Sequence, residues 1–304
     1  MGGQTRRALV KYKTSAAFRQ ALEARLRDQS LLTGAPLARL RKMVAFDRFL
    51  ARLSQQHAES WIVKGGYALQ LRLGDVARTT RDIDVAPPSG LTDEKLKERL
   101  RKAAGANLGD WFEFEVGQPT AVATGAPGKG LRFPVRCLLD GRTFETFHLD
   151  VGQGDPLSDK PERLTGSGVL DFANVPRATI SCYPLTSQIA EKLHAYTRAY
   201  EAGESSRVRD LVDILLIASF SRVKAPALLK ALQATFEARD THSLPSELPR
   251  HPAGWSGPYR RLAGELPLHW PTVAEAWQAA RDFLNSVLQG TAKGMWNPET
   301  WTWE

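Results

Sequence analysis

Hydrophobic positions recur along the chain with two periods, and the changes from one to the other mark out its elements. Thr14 and Ser15 are placed to cap a first helix through FRQALEARLRDQ. A second helix, from Pro36 to about Gln56, carries Leu40, Val44, Phe46, Leu50 and Leu53 at amphipathic spacing. Between them, Arg39, Arg41, Lys42, Arg48 and Arg52 are expected to form a solvated basic face. Trp61 to Val63 is then a short aromatic and β-branched strand; Gly65 and Gly66 break it, and YALQLRL resumes helical spacing. After a polar turn at Gly74 and Asp75, RDIDV alternates strictly. In a strand, alternate side chains leave opposite faces, so Ile83 and Val85 enter the core while Asp82 and Asp84 share the other face.

Downstream, Leu91 to Ala104 reads as a charge-rich amphipathic helix, FEFEV at 112–116 as a strand, and Pro119 to Gly130 as a flexible loop. Leu131, Phe133, Val135, Cys137 and Leu139 alternate into a hairpin turn at Asp140 and Gly141. The returning strand puts Phe147, Leu149 and Val151 on one face and His148 and Asp150 on the other, which makes Asp150 the candidate third carboxylate and His148 a structural or supporting residue. Gly152 to Arg177 is loop-rich, and a lobe boundary is expected just after it, dividing the chain into 1–180 and 181–304.

Beyond that boundary the pattern turns helical. Leu185 to Ala199 directs Leu185, Ile189, Leu193 and Tyr196 to the core, and Lys192 borders this stripe, where an ammonium needs an anion. SRVRDLVDILLIASF places Val208, Leu211, Val212, Leu215 and Leu216 on its apolar side, with Asp210 and Asp213 one turn apart. Acids on an apolar helix require cations or donors, so Asp210 acts as a base or orients Lys192, and Asp213 is a structural partner for an arginine. Helices at 225–239 and 272–289 flank a proline-rich connector, and the tryptophans concentrated there are expected to pack a small helical lobe.

Composition narrows the partners. The net charge of +8 over 304 residues favours a polyanion, nucleic acid before a small acidic molecule. Cys137 and Cys182 lie in apolar runs and read as small core residues, with no disulfide framework or zinc site. The N-terminus has no apolar signal core, and the longest apolar run, Leu211 to Phe220, is interrupted by Asp213; a cytoplasmic protein is expected.

Two carboxylates on one strand face beside a glycine turn at a helix start supply what nucleotidyl transfer needs: the acids hold magnesium, and free amides face phosphate oxygens. The Gly-Gly turn followed by Asp-x-Asp resembles the signature of the DNA polymerase β type nucleotidyltransferases. More narrowly, KGGYALQLRL with ARTTRDIDV, EKLHAY and RVRDLVDIL resembles the AbiEii/MenT group of nucleotidyltransferase toxins. Two departures stand out: fifteen residues, Tyr67 to Arg81, separate Gly66 from Asp82, slightly more than usual, and Arg209 stands where a lysine is common.

The resemblance implies a bilobed α/β fold, with an N-terminal mixed sheet flanked by helices and a mostly α-helical C-terminal lobe closing the cleft. It also implies that Asp82, Asp84 and Asp150 hold two Mg2+ ions roughly 4 Å apart. Gly65, Gly66, Thr80 and Lys192 would hold the NTP phosphates, with Lys64 a weaker candidate, and Asp210 would join Lys192 in the catalytic set. By the same resemblance the acceptor is the 3′ CCA end of tRNA, the nucleotide a pyrimidine, and the outcome blocked aminoacylation in a toxin–antitoxin or phage-defence system with a cognate antitoxin. Modification of Thr79 or Thr80, beside the metal site, would block it. Two other functions stay open: transfer to a protein or small molecule, and a non-catalytic RNA-binding protein.

Overall fold

The structure, a computed structural model, describes residues 11–56, 61–122, 130–152, 157, 159–199 and 207–304. Most of the loop expected before Gly130 lies outside these. Two long helices open the chain: α1 (Ser15–Thr33), capped by the Thr14 hydroxyl, which accepts from the Ala17 amide at 3.2 Å, and α2 (Leu37–Gln56). Then come β1 (Ile62–Lys64), α3 (Gly65–Leu73), β2 (Ile83–Ala86), α4 (Asp93–Ala104), β3 (Phe112–Val116), β4 (Thr120–Val122), β5 (Gly130–Leu139), β6 (Arg142–Gly152), β7 (Glu162–Thr165) and β8 (Thr179–Cys182). Among the described residues these strands form one mixed sheet, in the order β3-β5-β6-β2-β1-β8-β7 with β4 also on β5.

One face of this sheet is apolar. Ile83, Val85, Phe133, Val135, Leu149 and Val151 are all buried, and α2 lies over them, with Phe46 edge-on to Tyr67 and Phe147, and Phe49 against Phe114 and Phe147. Cys137 and Cys182 are free and buried in the same core. The opposite face carries the polar members of each alternating strand.

The expected solvated basic face of α2 needs correction. Arg48 is 3% exposed and Arg52 fully buried, and both turn into the core to meet Asp110, at 2.8 Å from Arg48 Nε and 2.7 Å from Arg52 Nη2. Burial opposes ionisation of Asp110, but Arg52, and after it Arg48, outweigh it and hold its pKa below the usual value. Burying a guanidinium without such a partner is costly. Here the two arginines tie α2 to the segment before β3.

The second half is helical: α5 (Leu185–Thr197), α6 (Val208–Phe220), α7 (Ala225–Arg239), α8 (Ser256–Ala263) and α9 (Val273–Leu288), followed by a small hairpin of β9 (Trp296–Asn297) and β10 (Thr302–Trp303). Its buried residues, among them Leu193, Leu215, Leu232, Phe283 and Trp296, form a second apolar cluster. Trp296 donates its indole N–H to the Ala218 carbonyl at 2.8 Å and packs between Phe283 and the Trp301 and Trp303 rings, the packing role expected for these aromatics. Helix α3 joins the two clusters, contributing Tyr67 and Ala68 to the first and Leu69 to the second. Three elements depart from expectation: β4 and β7 lie within stretches read as loop, and α8 within the proline-rich connector. No described helix is long and apolar enough to cross a membrane.

Candidate active site

The polar face of the sheet concentrates charge in one row. Register pairs Lys64 of β1 with Asp84 of β2, Asp84 with Asp150 of β6, and Asp150 with Arg132 of β5. Partners in register project from the same face with strands about 4.8 Å apart, so the row runs cation, carboxylate, carboxylate, cation. Arg132 grips Asp150 with two hydrogen bonds, Nε to Oδ1 at 2.7 Å and Nη2 to Oδ2 at 2.6 Å, and its Nη2 lies 3.7 Å from Asp82 Oδ2. The other oxygen of Asp82 meets His148 Nδ1 at 3.3 Å. Asp84 has no such grip. Burial, and after it the charge of Asp150, push its pKa up to about 6, with Lys64 and Lys192 pulling the other way.

The glycine turn sits directly against this row. Gly65 has φ +60°, and a Cβ there would run into the Asp84 carboxylate, so backbone conformation and space both demand glycine. At Gly66 a Cβ would lie 2.9 Å from Thr80 Oγ1. Thr80 donates its hydroxyl to the Asp82 carbonyl at 3.2 Å, bracing the approach to β2. The turn is held from behind: Gln188 of α5 donates to the Gly65 carbonyl at 3.0 Å and accepts from Arg72 at 3.0 Å. Lys64 reaches Glu191 at 2.6 Å, with its ammonium over the Tyr183 ring. No side chain caps the start of α3, which begins at Gly65 against the Asp84 carboxylate.

Across from the row, α5 and α6 bring Lys192, Asp210 and Asp213 together. Lys192 Nζ is 2.5 Å from Asp213 and 3.5 Å from Asp210. Arg78, from the segment between α3 and β2, grips Asp213 with both oxygens engaged, at 2.8 and 2.9 Å, and is the arginine that residue required. Burial opposes the charge on Lys192, but Asp213 and Asp210 outweigh it and hold its pKa above the lysine value. Asp213, by the same balance with Lys192 and Arg78, is held below the carboxylate range. Asp210 is the loser: burial raises its pKa, and Lys192 offsets this only in part.

The candidate residues form three groups: Asp82, Asp84 and Asp150 on the sheet, Gly65, Gly66 and Thr80 at the turn, and Lys192 with Asp210 on α5 and α6, near enough for the Lys192 charge to act on Asp84. Sequence reasoning missed Arg78, Arg132 and Gln188. Beside Asp82 opens a cavity of about 750 Å³ lined by residues of α2, β3, β5 and β6.

Residues 48–287 match the model of a family described as nucleotidyl transferase AbiEii toxin, Type IV TA system. Among solved structures, the fold is similar to that of MenT4, a nucleotidyltransferase toxin from Mycobacterium tuberculosis H37Rv, with a TM-score of 0.55 and 21% identity over 91% of this chain and 90% of that one. No curated protein matches the chain.

Proposed function

The chain belongs to the family of AbiEii nucleotidyltransferase toxins and is an NTP-using enzyme, and from that premise we propose that it transfers a nucleotide, a pyrimidine, to the 3′ CCA end of tRNA through the carboxylate row. The observation that carries this reading is the contact of Asp84 with Gly65, which sets a partly buried carboxylate beside a helix start that no side chain caps. Asp84 and Asp150 are hard oxygen donors on adjacent strands, and Asp84 lacks the positive charge that would keep it ionised at low pH, so their chemistry fits a divalent cation such as Mg2+. Among the described residues no three acidic or imidazole groups are yet disposed as a closed metal site; Arg132 occupies both oxygens of Asp150.

Asp82, Asp84 and Asp150 would hold a divalent cation, which would supply charge favouring ionisation of the attacking hydroxyl and departure of pyrophosphate. The chain's own residues do the rest. The α3 amides at Gly65 and Gly66 receive phosphate oxygens, with Thr80 holding their geometry. Lys192, kept charged by Asp213, presents an ammonium to the triphosphate. Asp210, whose raised pKa suits a proton acceptor, takes the hydroxyl proton or orients Lys192. Catalysis here is positioning and electrostatics. As a member of a toxin–antitoxin family the enzyme is expected to have a cognate antitoxin.

The test is to incubate wild type and Asp82→Ala with magnesium, each α-labelled NTP in turn, and total tRNA, and to resolve the products on a denaturing gel. Label on tRNA with wild type alone is the expected result, and the NTP that supplies it names the base. Label on a protein or small molecule instead would replace the acceptor, and equal toxicity of the two forms in cells would remove the enzymatic reading.

A further inference from the structure

The polar face of the sheet continues outward from the carboxylate row, away from the glycine turn and Lys192. Two residues along, Pro134 of β5 pairs with His148 of β6, and two further on Arg136 pairs with Thr146. Successive rows on a strand face are about 7 Å apart, comparable to the stride of an extended sugar–phosphate backbone. Arg136, ion-paired with Glu115 at the rim, is exposed, and His148 is about half exposed beside Asp82. Together with Lys42 and Arg81 these residues line the 750 Å³ cavity, whose cations, Lys42, Arg81, Arg132 and Arg136, outnumber its acids, Asp82 and Glu115.

We infer that this face is the acceptor site, and that a single-stranded RNA 3′ end lies along β5 and β6 with its terminus at Asp82. Arg136 and Arg81 take phosphates, and His148, the register partner of Pro134, offers an imidazole face on which a base stacks. Unstacked RNA ends are recognised in this way, by aromatic or imidazole faces combined with backbone cations. The triphosphate keeps the other flank, where Gly65, Gly66 and Lys192 sit, so the two substrates approach the carboxylates from opposite sides. A small acceptor would not use a row of cations extending to the rim at Arg136. The assignment rests on the nucleotidyl-transfer reading for its direction, but its test does not need the reaction.

The experiment is equilibrium binding of a short 5′-fluorescein oligoribonucleotide ending in CCA, followed by anisotropy in EDTA without NTP. The proteins are wild type, Arg136→Gln, Arg81→Gln, His148→Ala and, as a control, Lys230→Gln on the exposed side of α7. Each arginine variant is expected to bind about tenfold more weakly at low salt and to flatten the dependence of log Kd on log salt by about 0.7 per lost phosphate contact. His148→Ala is expected to lose roughly five- to hundredfold with the salt slope unchanged, and Lys230→Gln to match wild type. The inference is overturned if wild type does not bind the RNA, if the cavity variants bind like wild type, or if Lys230→Gln loses as much as they do. Intact binding without label transfer would instead remove the reaction and keep the site.

Discussion

Asp84 is held where its own charge is unfavourable. Its pKa in the folded chain is about 6 against 3.8 for the free group, so folding favours the protonated form. That stability is fully present below about pH 4 and is lost as pH rises through 6. Asp84→Asn, which cannot ionise, is therefore expected to be more stable than wild type by about 1–2 kcal/mol at pH 8 in urea unfolding without divalent ions, with the difference vanishing near pH 3.5. The same substitution is expected to abolish label transfer, so stability and activity move in opposite directions. Gly65→Ala should lose both, because it combines a positive φ with a Cβ driven into Asp84; roughly 1–3 kcal/mol is expected in the same measurement. The carboxylates were readable because alternation alone places Asp82, Asp84 and Asp150 away from the core. Arg132 was not. Counted strictly back from the Asp140-Gly141 turn, Asp150 would face Leu131, but a register shift between Cys137 and Leu138 moves its partner to Arg132. Arg78 was hidden for a simpler reason: its partner, Asp213, lies 135 residues away.

At the scale of elements, α2 is pinned by charge as well as by packing. Removing one partner of a buried ion pair leaves the other uncompensated. Arg52→Met leaves Asp110 with Arg48 alone and also withdraws the donor to the Phe112 carbonyl; a loss of about 3–5 kcal/mol in chemical denaturation is expected. Arg41→Met, whose side chain is one third exposed and pairs with Glu23 across α1 and α2, should cost less, about 1 kcal/mol. Spacing could not separate these two arginines, since both fall between apolar positions of one helix; which of them is buried depends on Asp110, 58 residues beyond Arg52. The long periodic helices and the β5–β6 hairpin were legible because their patterns repeat. Strand β7, reading ERLT, has no repeating pattern and is a strand because β8 lends it a ladder at the sheet's edge. Helix α8 is only eight residues long and is anchored by one buried ring, Tyr259, whose hydroxyl donates to the Trp270 carbonyl at 2.7 Å.

On the scale of the whole molecule, the candidate site divides between the two apolar clusters. The carboxylates and Gly65 belong to elements of the first, Lys192, Asp210 and Asp213 to the second, with α3 contributing to both and Arg78 crossing from one to the other. An NTP held by the α3 amides and by Lys192 must therefore stabilise the second cluster as well as the first. Tryptophan fluorescence separates the contributions: Trp255, Trp270, Trp277, Trp296, Trp301 and Trp303 all pack in the second cluster, whereas the first holds Trp61. With the preferred NTP at a hundred times its Kd, the fluorescence-monitored unfolding of wild type should gain about 2.7 kcal/mol. Lys192→Met should keep its fold, because Arg78 still neutralises Asp213, and should lose most of that gain. If the gain survives in Lys192→Met, the triphosphate is held by the sheet and the glycine turn alone, and Lys192 serves only to balance Asp210 and Asp213.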